Sequence, residues 1–438
     1  MVSAKQKAFI INSSSRFFGS FCEIGAAQEV VGHFFKAGKA SGSVAKSLSA
    51  YDMNLSDAYY GKSSKYVSLN RLEAMLKKER TELQSIFTQN KEKLFFIFAN
   101  TVKTKAYGSW GEASGWMGLS YQKDIEGPFY DVHVHFNLLD NNYIMQQEVI
   151  GILGVNLIYA VFYEFEQEKE FLHSIIHGLG IERVNIDYIT VTEKFSNKTL
   201  NLTLVKEGMT QAVLFNEEGN ISFVGDTFYK KEVILTRGSF KPPTLATIDM
   251  VEKAKQFHPN SLEIFEIGLQ VPFDFDEFDL SQRIFLLNKL NKKVLVTKYL
   301  GFYELAEYFK RYSLHSLAFV LSSFHFDQIF NKEYLNSRTN ILESLGMLFQ
   351  DFVKVYLYPL QSENIPIVHF KNHSAKLYEY LVDNLKIDFL KPSKEEYLSI
   401  YPKKVYEMIE SDNLLWKNFV PQVLHNDLKS GFFSFKKS

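Results

Sequence analysis

The chain has 438 residues, 46% hydrophobic and 15% aromatic, with 49 Lys and Arg set against 50 Asp and Glu. That is more chain than one hydrophobic core ordinarily serves, so two globular domains are expected and a disordered chain is excluded. A net charge of −1 supplies no long-range field for holding nucleic acid or an anionic membrane, and the single Cys22 rules out an internal disulfide and a thiolate zinc cluster.

In chain order, Met1 to Asn12 offers only a short apolar run, Ala8 to Ile11, which is no signal peptide, so with one cysteine the expected location is cytoplasmic. Lys7 to Ile11 reads as a strand, Cys22 to Phe35 and Leu69 to Phe87 as helices, and Leu94 to Ala99, Trp116 to Tyr121 and Val132 to Leu138 as strands. Ile144 to Phe162 reads as a helix; its uncharged core, Val149 to Tyr163, falls short of the ~20 residues that span a bilayer and is expected to be buried in the protein. Helical Lys169 to His177, a Gly178-Leu179-Gly180 stop, a strand at Val184 to Thr190 and helical Leu200 to Glu207 complete a mixed α/β domain over residues 1–230, with the junction placed at Phe228 to Glu232.

From residue 231 the pattern becomes regular. The strand-like runs Val233 to Thr236, Leu262 to Ile267, Lys293 to Thr297, Leu317 to Leu321 and Lys354 to Tyr358 alternate with helical Thr247 to Phe257, Leu280 to Leu290, Phe302 to Arg311, Asp327 to Leu335 and Ile341 to Phe349. Such alternation implies a Rossmann-like parallel sheet with helices on both faces over residues 231–438, closed by a tail with a helical Glu395 to Glu410. The fold class is therefore α/β throughout.

The segment Ile234 to Met250 runs from a strand through Gly238-Ser239-Phe240-Lys241-Pro242-Pro243 into a helix, where an α/β protein presents free amides and a helix dipole to a phosphate. It resembles the Gly-Ser/Thr-Phe-Asp-Pro-x-His-x-Gly-His signature of the nicotinate or nicotinamide mononucleotide adenylyltransferases, a Rossmann-like nucleotidyltransferase family that binds ATP phosphates there. Gly238, Phe240 and Pro242 match, and Thr244 stands at a position that takes His or Thr. Lys241 replaces Asp, Ala246 replaces Gly, and Thr247 replaces the second His, which in that family steadies charge on the transferred group. A threonine donates one hydrogen bond but carries no cation, so this exchange weakens transition-state stabilisation. More loosely, the chain resembles long bacterial proteins that carry the adenylyltransferase name, through Leu295 to Tyr312, Ile341 to Phe349 and Lys354 to Leu360.

The resemblance implies binding of a nucleotide or phosphorylated metabolite near Gly238, Ser239, Phe240, Thr244 and Thr247, with Lys241 countering phosphate charge. If the protein is an enzyme, it implies adenylyl transfer from ATP with Mg2+, in NAD metabolism. The turn equally suits an ordinary strand-to-helix connection with Thr244 as N-cap, or nucleotide binding without transfer.

Two other readings stay open at this point. His133 and His135 alternate along one strand face with Asp131 and Asn137, and His173 and His177 share a helix face, so the four imidazoles would supply ligands for the zinc of a metal-dependent hydrolase if the pairs met in space, with Asp131 or Asp187 as a further ligand or base. The aromatic content also suits a non-catalytic sensor or assembly partner of unspecified oligomeric state. Asn12 to Arg16 reads as a polar turn able to hold an anion or to cap a helix, and Gly151 and Gly154 as close-packing positions. Tyr107, Trp110, Trp116 and Tyr121 among glycines read as a hairpin or lid, and Lys77-Lys78-Glu79-Arg80 as a solvated face.

Overall fold

The computed structural model describes residues 2–26, 28–87, 92–105, 113–269, 276–335, 339–359 and 374–433. The chain divides into two compact units, Met1–Thr210 and Gln211–Ser438.

The first unit runs α1 (Ala4–Ser13), β1 (Phe17–Gly25), α2 (Val30–Ala37), β2 (Val44–Ala50), α3 (Met53–Tyr60), α4 (Leu69–Ile86), β3 (Leu94–Lys103), β4 (Ala113–Gln122), β5 (Phe129–Leu138), α5 (Tyr143–Tyr163), α6 (Glu168–Ile175), β6 (Val184–Val191) and α7 (Asn197–Lys206). Its sheet is ordered β2-β1-β3-β4-β5-β6. β1 pairs in parallel with β2 and β3, and the remaining pairings are antiparallel.

Two expected elements change here. The run at Lys7 to Ile11 is helical: Ser3 and Gln6 form a capping box, and Ala8 and Ile11, three apart, turn the same way into the core. Cys22 to Phe35 is not one helix. Its first part belongs to β1, flanked on both sides by parallel partners and buried nearly throughout, so it lacks the alternation that marks a strand. The helix begins only at Val30.

One sheet face buries Phe21, Phe96, Phe98, Val132, Val134 and Phe136 against residues of α1, α2, α5 and α6, including Ile11, Phe34, Leu153 and Phe171. α5 is long and apolar enough to cross a membrane, but most of it is inside this unit. Gly154 admits it: a β-carbon there would meet Val30 Cγ2 at 2.4 Å. α4 packs on the opposite face, where a β-carbon on Gly118 would lie 3.0 Å from Leu76 and 3.1 Å from Leu72.

The second unit runs β7 (Ala212–Phe215), β8 (Ile221–Ser222), α8 (Val224–Phe228), β9 (Glu232–Arg237), α9 (Leu245–Lys255), β10 (Leu262–Gly268), α10 (Glu277–Lys289), β11 (Lys293–Thr297), α11 (Phe302–Lys310), β12 (Ser316–Ser322), α12 (Ser323–Phe330), α13 (Ile341–Leu348), β13 (Val353–Tyr358), α14 (Ser374–Asp383), β14 (Ile387–Phe389) and α15 (Pro402–Glu410). The sheet is ordered β14-β13-β12-β9-β10-β11-β7-β8, parallel from β14 to β11 with β7 and β8 added antiparallel. This is the Rossmann-like sheet expected from the sequence: β9 is central, the next two strands lie to one side and the later three to the other.

The division at Thr210 and Gln211 precedes the junction expected at Phe228 to Glu232. β7 hydrogen-bonds to β11, and Leu214, Val224 and Phe228 join the core of β9, β12 and β13, so the intervening residues belong to the second unit. α12 starts earlier than expected because Ser322 caps it. The expected tail helix breaks into a 3-10 turn at Glu395–Ser399 and α15, since Pro402 opens a helix but cannot continue one.

Candidate functional site

The β9–α9 turn is where the sequence directs attention, and the amides of Gly238, Leu245 and Thr247 are hydrogen-bonded within the protein. Thr244 is fully buried and is the N-cap of α9: its hydroxyl accepts the amide of Thr247 at 3.3 Å and lies 3.1 Å from the Thr247 hydroxyl. The amide of Leu245, the first of the helix, donates to the carbonyl of Phe419 at 2.9 Å. Phe240 is 2% exposed, with its ring 5.4 Å from that of Phe265, and holds φ at +48°, a strained value for a bulky residue. Gly238 suits this packing, because a β-carbon would sit tightly, 3.0 Å from the Phe240 ring. Ser239 alone faces solvent.

Lys241 is already paired with a carboxylate of the protein. Its ammonium is 2.7 Å from Asp279 and lies over the rings of Tyr406 and Phe433. Those rings belong to a C-terminal layer in which Val405, Ile409, Trp416, Val420, Leu424 and Phe433 pack on Ala246 and Leu286. The donor set of this turn does not fit a triphosphate, since its lysine is held by Asp279 and its leading amide is occupied.

The edge of the sheet beside the turn carries a charge pair the sequence reading missed. Arg237, the last residue of β9, donates through Nε to Glu266 at 2.5 Å and through Nη2 at 3.0 Å, and also to the carbonyls of Leu300 and Tyr299 at 2.7 and 2.8 Å. Glu266 has no exposed surface and accepts a further bond from Thr297. His325, in the first turn of α12, shares a 3.1 Å hydrogen bond with Ser322. Burial, followed by the positive charge of Arg237, pushes its imidazole down to about 4, so it is neutral near pH 7.

The histidine pairs do not meet. Val132, Val134 and Phe136 face the core shared with Phe171, Leu172 and Ile175 of α6, so the alternating His133 and His135 lie on the opposite sheet face from that helix. His135 Nδ1 is 2.5 Å from Asp187, whose other oxygen accepts from Asn137 at 2.9 Å, while His173 bonds Glu207 at 2.9 Å. The pKa of His177 is lowered, first by burial and then by nearby Lys7. Among the described residues no group of three or more His, Cys, Asp or Glu is placed to hold a metal ion.

Asn12 to Arg16 lies at the amino end of β1, the wrong edge for a ligand turn, and the Asn12 amide caps the end of α2 by donating to the carbonyls of Phe34 and Gly38. Trp116 and Tyr121 are buried in β4; Tyr107 and Trp110 lie outside the described residues. The expected solvated run at Lys77 to Arg80 is only partly so, because Glu79 is 1% exposed and accepts from Tyr60 and Lys46.

A second missed group is Glu23, on β1. Its carboxylate accepts the amides of Val30 and Val31 at 3.2 and 2.9 Å, occupying the N-terminus of α2, and Asn100 donates to it at 3.3 Å. Burial raises its pKa to about 7 against those hydrogen bonds. The available signal was a lone acid within an otherwise uncharged apolar run, Phe17 to Gly25.

No family model matches the chain, and no curated protein matches it. Among solved structures it is similar to the competence/damage-inducible protein CihA from Agrobacterium tumefaciens, at a TM-score of 0.26 and 15% identity, covering 37% of this chain and 96% of that one. It is also similar to a competence-damaged protein (CinA) superfamily member from Enterobacter cloacae, at 0.25 and 10%, covering 37% and 91%. A competence or damage-inducible protein from Enterobacter asburiae gives 0.25 and 8%, covering 36% and 98%. Likeness at this level carries no argument about activity.

Proposed function

We propose that the second unit binds a nucleotide or another phosphorylated small molecule, and that it does so without adenylyl transfer. The observation that carries this reading is the strand order β11-β10-β9-β12-β13-β14. In open sheets wound this way, ligands settle outside the carboxyl ends of the strands where the winding reverses, here between β9 and β12. Solvent-facing Ser239 and the neutral imidazole of His325 border that edge. The resemblance to mononucleotide adenylyltransferases through Gly238, Phe240, Pro242 and Thr244 supports the ligand class. It does not support the reaction, because Thr247 carries no charge and Lys241 is held by Asp279, which leaves the turn without a free cation to steady a transferred phosphoryl group.

Calorimetric titration of the full chain with ATP, nicotinate mononucleotide and NAD, each with and without Mg2+, tests both parts. Binding of at least one is expected, weakened in Ser239→Glu, whose added carboxylate repels phosphate. Binding by none would overturn the reading. Pyrophosphate released from ATP and the mononucleotide above background would overturn the claim that transfer is lost.

A further inference from the structure

On the helix-covered face opposite the main core of the first unit, α4 packs against β1, β3 and β4 and leaves the polar row of β5 beside it. Between them is a cleft of about 420 Å3 lined from α4 by Glu73, Lys77 and Arg80 and from β5 by Asp131 and His133. The volume falls in the range of small-molecule sites. The three α4 residues, four and three apart, share one helix face.

The charges here are of both signs and are incompletely paired. Arg80 reaches Asp131 by a single long contact, Nη2 to Oδ1 at 3.5 Å, and its buried Nε has no hydrogen-bond partner among the described residues. Lys77 and Glu73, one helical turn apart, form no ion pair among the described residues. Ser120 pairs across the strands with Asp131 and so shares its face; its hydroxyl is fully buried and also without a partner among the described residues. Buried polar groups are ordinarily satisfied, so the Arg80 Nε, unpaired among the described residues on a side chain that lines this cleft, points to something that binds there.

We propose that this cleft is a binding site for a zwitterionic small molecule of the α-amino-acid class, its carboxylate held by Arg80 and Lys77 and its ammonium by Glu73. Two cations with two carboxylates decide the class. A polyanion such as a triphosphate would meet Glu73 and Asp131, a simple cation would meet Lys77 and Arg80, and only a bipolar ligand satisfies both. Planar carboxylate recognition also uses the Arg80 Nε that the fold leaves unpaired. His133 sits among the same groups: burial lowers its pKa, Asp131 and Glu73 oppose this, and Arg80 adds to it. The neutral imidazole therefore adds no third cation near pH 7.

The test is ligand-observed NMR and calorimetry on the full chain with the standard L-α-amino acids at millimolar concentration. The best binder is then compared with its N-acetyl and carboxamide derivatives, which remove one charge each. Binding by at least one amino acid is expected, with both derivatives and both Lys77→Gln and Glu73→Gln weaker by roughly tenfold or more. These side chains are exposed, so unchanged melting is expected of the two variants. Arg80→Gln should weaken binding further. Absence of binding by every amino acid, equal binding of a singly charged derivative, or unchanged affinity in the variants would each overturn the proposal. None of these outcomes bears on the nucleotide reading, which concerns the other unit.

Discussion

A single carboxylate, Glu23, couples the first unit's stability to pH. It is 1% exposed, and burial raises its pKa from 4.5 to about 7 in spite of two amides and the Asn100 side chain donating to it. The Asn100 side-chain oxygen is buried without a partner among the described residues, and turning that amide over would let it accept from protonated Glu23. A carboxyl whose folded pKa exceeds its unfolded one holds its proton better when folded, so its contribution is fully present below pH 4.5 and is lost as pH rises through 7. The shift corresponds to something on the order of 3 kcal/mol. Melting temperature followed between pH 4.5 and 8 should therefore fall less steeply with pH in Glu23→Gln than in the parent, and parallel curves would refute the assignment. The sequence shows the acid but not its environment, because nothing local states that β1 is enclosed on both sides.

Among the elements, the β9–α9 connection separates what is readable locally from what is not. A hydroxyl residue three places before Thr247, after a Gly/Pro turn, is a helix start by residue chemistry alone, and Thr244 is that N-cap. The Phe419 carbonyl on the Leu245 amide and the aromatic rings over Lys241 come from far along the chain, so no inspection of residues 234 to 250 reveals that the first amide of the helix and the lysine are already engaged. Thr244→Ala should cost about 1 kcal/mol in denaturant unfolding followed by Trp416, which is buried in the tail layer resting on this helix. Thr247→Ala, which leaves the cap acceptor in place, should cost clearly less. Equal losses would mean that the two hydroxyls act as a unit and not as cap and capped.

At the scale of the whole molecule, the alternation from β9 to β13 made the parallel sheet legible, whereas β7, β8 and α8 went unread because they are short and find partners only by returning to β11. That omission moved the expected junction to residue 230, and the difference has a measurable consequence. One core cluster extends from Ala8 to Met209 and another begins at Ala212. A fragment of residues 211–438 should fold alone, with the blue-shifted emission of a buried Trp416. A fragment of residues 231–438 lacks Leu214, Val224 and Phe228, exposes the edge of β11 and leaves a void against Phe309. By analogy with buried Phe→Ala changes, losing Phe228 alone costs about 3–5 kcal/mol, so the shorter fragment should unfold at markedly lower denaturant or aggregate through its bared strand. Equal stability of the two fragments would place residues 211–230 outside the second unit's cooperative core and restore the junction that the sequence pattern suggested.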